Sequence, residues 1–134
     1  MGIAPSTEAV ADLKPGDKVK LTAEGHAGLA RLAGLSAEGV ATRDLVLPGP
    51  AGPISARLYA LEGSASGPGL VYLHGGGLVT GGLDTHDGLC RVLAEAGALR
   101  VVSVDYRLAP EHPFPAALDD ALAAMDGVAA QADT

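Results

Sequence analysis

The apolar positions change period along the chain, and the changes mark its elements. Ile54, Ala56, Leu58 and Ala60 alternate with Ser55, Arg57, Tyr59 and Leu61, the period of two expected of a strand. A shorter strand, Arg43 to Leu47, precedes it. Pro48-Gly49-Pro50-Ala51-Gly52-Pro53 lies between the two and reads as a hairpin turn. Leu70 to Leu73 and Leu99 to Val104 are near-continuous apolar runs, as in parallel strands covered on both faces. Between them Leu89, Val92, Leu93 and Ala96 fall at i, i+3, i+4 and i+7. That spacing predicts a helix over about residues 85–96, with Asp84 as N-cap, Asp87 completing a capping box and Gly97 as the stop. After Pro113 and Pro115 a second helix is predicted to about Ala130. Its buried face is Phe114, Leu118, Leu122 and Met125, continued by Val128 or Ala129.

The N-terminal third is weaker. Residues 1–20 are polar and broken by Pro5, Pro15 and Gly16, while residues 22–33 fit a short helix closed by Gly34. Residues 63–69 are a Gly/Ser linker whose central Ala65 has no hydroxyl to act as a nucleophile. The order is therefore β-β followed by β-α-β-α, an α/β class with a mostly parallel sheet and helices on its faces.

Composition narrows the function. A net charge of −7, with the basic residues scattered singly, excludes a phosphate-tracking surface and a polybasic membrane patch, so neither nucleic acid nor membrane is an expected partner. No apolar run reaches the roughly 18 residues that span a bilayer. A single cysteine, Cys90, cannot form an internal disulfide. With no visible signal peptide, this points to the cytoplasm.

The chemistry concentrates after the third strand. Leu73-His74 runs into Gly75-Gly76-Gly77, and Gly81-Gly82 makes five glycines in eight positions, more than a plain turn needs. Glycines at the carboxyl end of a buried strand expose backbone N–H groups where open α/β sheets bind ligands. Two such groups aimed at a developing oxyanion contribute several kcal/mol to an acyl-transfer transition state. Yet the chain contains no Gly-x-Ser-x-Gly.

Leu73-His74-Gly75-Gly76-Gly77, then Asp84-Thr85-His86-Asp87, then the run from Asp105-Tyr106-Arg107-Leu108-Ala109-Pro110 through Glu111-His112-Pro113-Phe114-Pro115-Ala116-Ala117 resembles the hormone-sensitive-lipase family of α/β-hydrolases over about residues 40–130. The resemblance implies the N-terminal part of that fold, lacking the nucleophile strand and all that follows. Residues 1–40 would be a tail and short helix of a cap or lid, and residues 41–134 an incomplete core. It implies a carboxylic-ester hydrolase acting on small acyl esters without a cofactor. Gly76 and Gly77 would be the main oxyanion donors and Gly75 would shape the turn. His74 would brace the loop, with Asp105, Arg107, Glu111 and His112 supporting it. The Ser-Asp/Glu-His triad would lie beyond Thr134, so this chain by itself would be catalytically incomplete. It would be either a truncated remnant or half of a split enzyme, with the edge beside Leu70 to Leu73 open to a complementing C-terminal segment or to a second copy. The sequence departs from the family at Leu78, where an aromatic residue is usual, and at Gly82, where a small polar residue is.

The other candidates are weaker. His86 between Asp84 and Asp87 falls short of the three or four ligands of a usual metal site. Ser103 and Cys90 have no general base at a recognisable spacing, and His26 has no context. A dinucleotide-binding Rossmann half is the alternative from another class, but G-x-G-x-x-G would need glycine at Thr80.

Overall fold

A computed structural model of the chain describes residues 38–64 and 66–131. The elements are β1 (Val40–Leu47), β2 (Ile54–Leu61), β3 (Gly69–Leu73), α1 (Asp87–Gly97), β4 (Arg100–Val104) and α2 (Ala116–Gln131). The predicted helix over residues 22–33, the tail before it and Ala65 fall outside the described residues.

The four strands form one sheet in the order β1-β2-β4-β3. β1 and β2 pair antiparallel from Val40↔Leu61 to Leu47↔Ile54, closed by the proline-glycine turn. β2 pairs antiparallel with β4, and only β3 and β4 are parallel, from Gly69↔Arg100 to Leu73↔Val104. The described sheet is thus mixed, where a mostly parallel one was expected. The hairpin reverses β2 before it joins the β3-α1-β4 unit, so two of the three pairings are antiparallel.

The alternation in β2 sends side chains into two cores rather than one core and solvent. Ile54 and Ala56 join Leu47, Val102, Val104 and Tyr106 beneath Ala117 and Ala124 of α2. Tyr59 points the other way and packs with Val40 and Val101 beneath Cys90 and Ala94 of α1. The helices therefore cover opposite faces of the sheet. β3 lies at its edge, with Leu73 43% exposed.

The helix faces differ from those predicted. α1 begins at Asp87 with His86 in the N-cap position and no side-chain cap, because Asp84 and Asp87 both turn to Arg57 of β2 instead. Its stop is Ala98, in the left-handed region at φ 49°, not Gly97. Its fully buried residues are Cys90 and Ala94, with Leu93 packed beside them, while Ala96 is exposed.

On α2 the buried residues are Ala117, Asp120, Ala124 and Gly127, whereas Leu118, Leu122 and Met125 face outward and Phe114, ahead of the helix, is 79% exposed. Small side chains let α2 approach the sheet closely, and a buried carboxylate on the same face fixes its rotation.

Gly127 rests on Pro48 and Leu47, where an added Cβ would meet atoms at 3.4–3.8 Å, ordinary van der Waals contact. Gly127→Ala is therefore expected to raise the urea midpoint, with a gain of about 1 kcal/mol from the removal of a helix-interior glycine.

Candidate active site

β3 ends at Leu73, and the chain turns away from the sheet edge at His74. His74 is 3% exposed. Its ring stacks on Tyr106 with centroids 4.4 Å apart and 13° between the planes, and on His86 at 5.2 Å and 29°. The Tyr106 hydroxyl donates to the His74 carbonyl in a short hydrogen bond, tying the exit of β4 to the exit of β3. His74 Nδ1 lies 2.9 Å from the Gly75 carbonyl. A carbonyl only accepts, so the proton of that contact sits on Nδ1. Nε2 is buried, with no protein partner among the described residues.

The loop beyond needs its glycines. Gly76 has φ 136°, and a Cβ there would collide with the Thr80 carbonyl; at Gly81 (φ 103°) it would strike the His74 ring. The Gly76 carbonyl accepts the Val79 and Thr80 N–H groups at 3.2 and 3.1 Å, closing a tight turn. Gly77 and Leu78 follow in the left-handed region at φ 65° and 62°, and the Leu78 carbonyl accepts Ala109 N–H at 2.8 Å. The N–H groups of Gly76 and Gly77 donate to no protein atom among the described residues, and Gly77 is exposed. Thr85 Oγ1 closes the far side of the loop: it accepts Gly82 N–H at 2.9 Å, lies 3.0 Å from the Gly82 carbonyl and 2.9 Å from His86 Nδ1.

The other predicted residues divide into two groups. Asp105 stays at the loop: a Cβ added at Gly82 would lie 3.8 Å from its carboxylate, and burial raises its pKa against an opposing pull from His74. Arg107 does not reach Glu111 or His112. It clamps Asp120 of α2 through Nε (2.9 Å), Nη2 (2.8 Å) and its backbone N–H (3.0 Å). Glu111 and His112 are exposed, and His112 contributes through its field at Asp120. Burial alone would raise the Asp120 carboxyl, but the Arg107 hydrogen bonds outweigh it and hold the group below the ordinary carboxylate range.

Sequence reasoning missed three participants. Asp120 was hidden by assigning the wrong face to its helix. Tyr106 was quoted only as part of a motif. Arg57 stood on what looked like the polar face of β2, yet it pairs with Asp44 at 2.9 Å and Asp84 at 3.0 Å, and Asp87 further accepts from Tyr59 and Arg91 at 2.8 Å each. Burial pushes the Cys90 thiol up to about 11, which keeps it protonated and unreactive. No group of three or more His, Cys, Asp or Glu among the described residues could hold a metal ion, and no described helix is long and apolar enough to cross a membrane.

A family model for the alpha/beta hydrolase fold matches residues 70–134, the segment that contains β3, the glycine loop and both helices. The chain belongs to the hormone-sensitive-lipase-like family of α/β-hydrolases. Among its relatives are the esterase LipI of Mycobacterium tuberculosis, 56% identical over 89 residues (64% of this chain, 28% of that protein), and the carboxylic ester hydrolase LipN of the same organism, 56% identical over 82 residues (61% and 22%). A solved esterase from Pyrobaculum calidifontis superposes with TM-score 0.76 at 39% identity, covering 98% of this chain and 44% of that one. This α/β-hydrolase chain thus spans less than half the length of the relatives it matches.

The dinucleotide alternative fits the geometry poorly. In that fingerprint the glycines open the helix, whose N-terminus holds pyrophosphate. Here residues 78–86 separate Gly75, Gly76 and Gly77 from α1, and the first residue of α1 is the anionic Asp87.

The Arg107–Asp120 clamp has a pH signature. A carboxyl held low in the folded state adds stability that is present above its unfolded pKa of about 3.9 and lost as the pH falls through the folded value. Asp120→Asn is expected to lower the urea midpoint clearly near neutral pH, and the gap from the parent chain should narrow as the pH falls below about 3.9. A gap that widens in acid would contradict the assignment.

Proposed function

We propose that this chain provides the oxyanion-stabilising part of a carboxylic-ester hydrolase. The observation that carries the reading is the loop after β3: Gly76 and Gly77 hold backbone conformations that favour glycine, and their N–H groups have no protein acceptor among the described residues. Such donors, fixed before reaction, stabilise the alkoxide of a tetrahedral intermediate without reorganising when charge develops. Gly75 shapes the turn and His74 braces it from beneath. Leu78 and Val79, both about half exposed, give the loop an apolar flank suited to an acyl or alkyl group of a small ester. Membership of the family, and the esterase LipI and carboxylic ester hydrolase LipN among its relatives, support the same reaction class.

Attack on the ester needs a nucleophile that the chain does not carry in an elbow, since no Gly-x-Ser-x-Gly occurs in it. The chain alone is therefore catalytically incomplete. Among the described residues β3 pairs only with β4, and Leu73 is half exposed at its end. Its free side is where a further strand, from a complementing segment or a second copy, adds to the sheet.

The test joins this chain to the part of LipI that follows its matched segment. The fusion is expected to hydrolyse p-nitrophenyl acetate, and the 134-residue chain alone to show no active-site turnover. Within the fusion, Gly76→Ala should lower kcat about 10²–10³-fold with little change in KM. Turnover by the isolated chain at an enzymatic rate would refute the incomplete reading. An unchanged kcat in the Gly76→Ala fusion would refute the oxyanion role.

A further inference from the structure

The cluster around Arg57 lies on the α1 side of the sheet. Its guanidinium reaches three carboxylates on three different parts of the fold. Nε donates to Asp44 of β1 at 2.9 Å, and Nη1 donates to Asp84 in the loop at 3.0 Å and to Asp87, the first residue of α1, at 3.3 Å. Asp87 is fixed from two further directions, by the Tyr59 hydroxyl at 2.8 Å and by Arg91 Nε at 2.8 Å. Arg91 in turn donates to the Val40 carbonyl at 3.2 Å and sits 5.9 Å above the Tyr59 ring.

Asp84 and Asp87 bracket His86. The His86 ring stacks on His74, and His74 Nδ1 meets the Gly75 carbonyl. A path therefore runs from a charged group rooted in β2 to the glycine turn: Arg57, then Asp84 and Asp87, then the short stretch of backbone between them that carries His86, whose Nδ1 lies 2.9 Å from Thr85 Oγ1, then His74, then Gly75. An arginine suits this place because its planar fork directs several donors at once, where a lysine offers one point charge.

We propose that Arg57 is a positioning residue for the glycine loop: by pinning Asp84 and Asp87 on either side of His86, it sets the ring that presses on His74 and so sets the geometry of Gly75 to Gly77. This rests on the oxyanion reading only for its consequence in catalysis; the mechanical statement concerns the loop itself. Asp44 belongs to the same charge cluster but lies on β1, off the path, so it steadies Arg57 without touching the loop.

That difference between two exposed aspartates makes the test. In the full 134-residue chain, Asp84→Asn and Asp44→Asn each remove one negative charge from the same guanidinium, and both sites are exposed carboxylates whose replacement is expected to cost the fold little. The measurement is the amide resonances of Gly75, Gly76 and Gly77 together with the ring-proton resonances of His74 and His86, which report the stacking geometry. Asp84→Asn is expected to shift both sets and Asp44→Asn to leave both in place. Arg57→Gln should reproduce the Asp84→Asn pattern with larger shifts. If the two aspartate variants behave alike, whether both shift the loop or neither does, the proposal is overturned, because a general loss of stability or an inert ion pair would do that. Should Arg57→Gln fail to fold, the aspartate pair still decides. The readout needs no ester turnover, so failure here leaves the oxyanion reading to its own test, and failure there leaves this one standing.

Discussion

The hydrogen bond from the Tyr106 hydroxyl to the carbonyl of His74 is the contact on which the rest of the site depends. Tyr106 lies two residues beyond the end of β4 and His74 follows β3 directly, and these strands form the parallel pair. Tying the two exits together defines where the glycine loop begins relative to the sheet. The stack of the Tyr106, His74 and His86 rings extends that anchor, so the loop departs from a buried platform rather than from a free strand end. A buried carbonyl left without its donor costs about 1–3 kcal/mol, comparable to a sizeable fraction of a small domain's stability, so this bond is worth more than its count of one.

Two charged clusters hold that platform from opposite faces of the sheet. On the α2 face, Arg107 leaves the strand exit one residue after Tyr106 and closes on Asp120, fixing the rotation of the helix. On the α1 face, Arg57 gathers carboxylates from β1, the loop and the helix start. In both cases a short apolar sheet is made specific by arginine, and few aromatic residues are needed. The cores are built mostly from aliphatic side chains of the strands with one tyrosine each, Tyr106 and Tyr59, and the small Ala117, Ala124 and Ala94 let both helices lie close to the strands.

The strands and the glycine loop were legible in the sequence because their signals are local. The alternation over residues 54–61 and the apolar runs at Leu70 and Val101 mark extended segments, and clustered glycines mark a turn where side chains do not fit. The faces of the helices were not legible. Leu118, Leu122 and Met125 have the spacing of a buried stripe, yet Ala117, Ala124 and Gly127 lie inward and Asp120 is drawn in by an arginine 13 positions earlier. A periodicity rule places the larger apolar residue inside and cannot see a long-range ion pair. The same blindness affected the start of α1, where Asp84 looked like a cap until Arg57, 27 residues away, claimed it. The alliance of Tyr106 with His74, 32 residues apart, left no trace in the chain's local pattern.

The central claim is that the glycine loop takes its shape from the platform beneath it. Tyr106→Phe removes one hydroxyl and keeps the ring that stacks on His74. Amide hydrogen exchange and resonance positions measured across the whole chain would compare the sheet with the loop. The account predicts that β2 and β4 keep their protection while the amides of Gly75, Gly76 and Gly77 shift and broaden. Loop resonances identical to those of the parent chain, in a folded Tyr106→Phe variant, would contradict it.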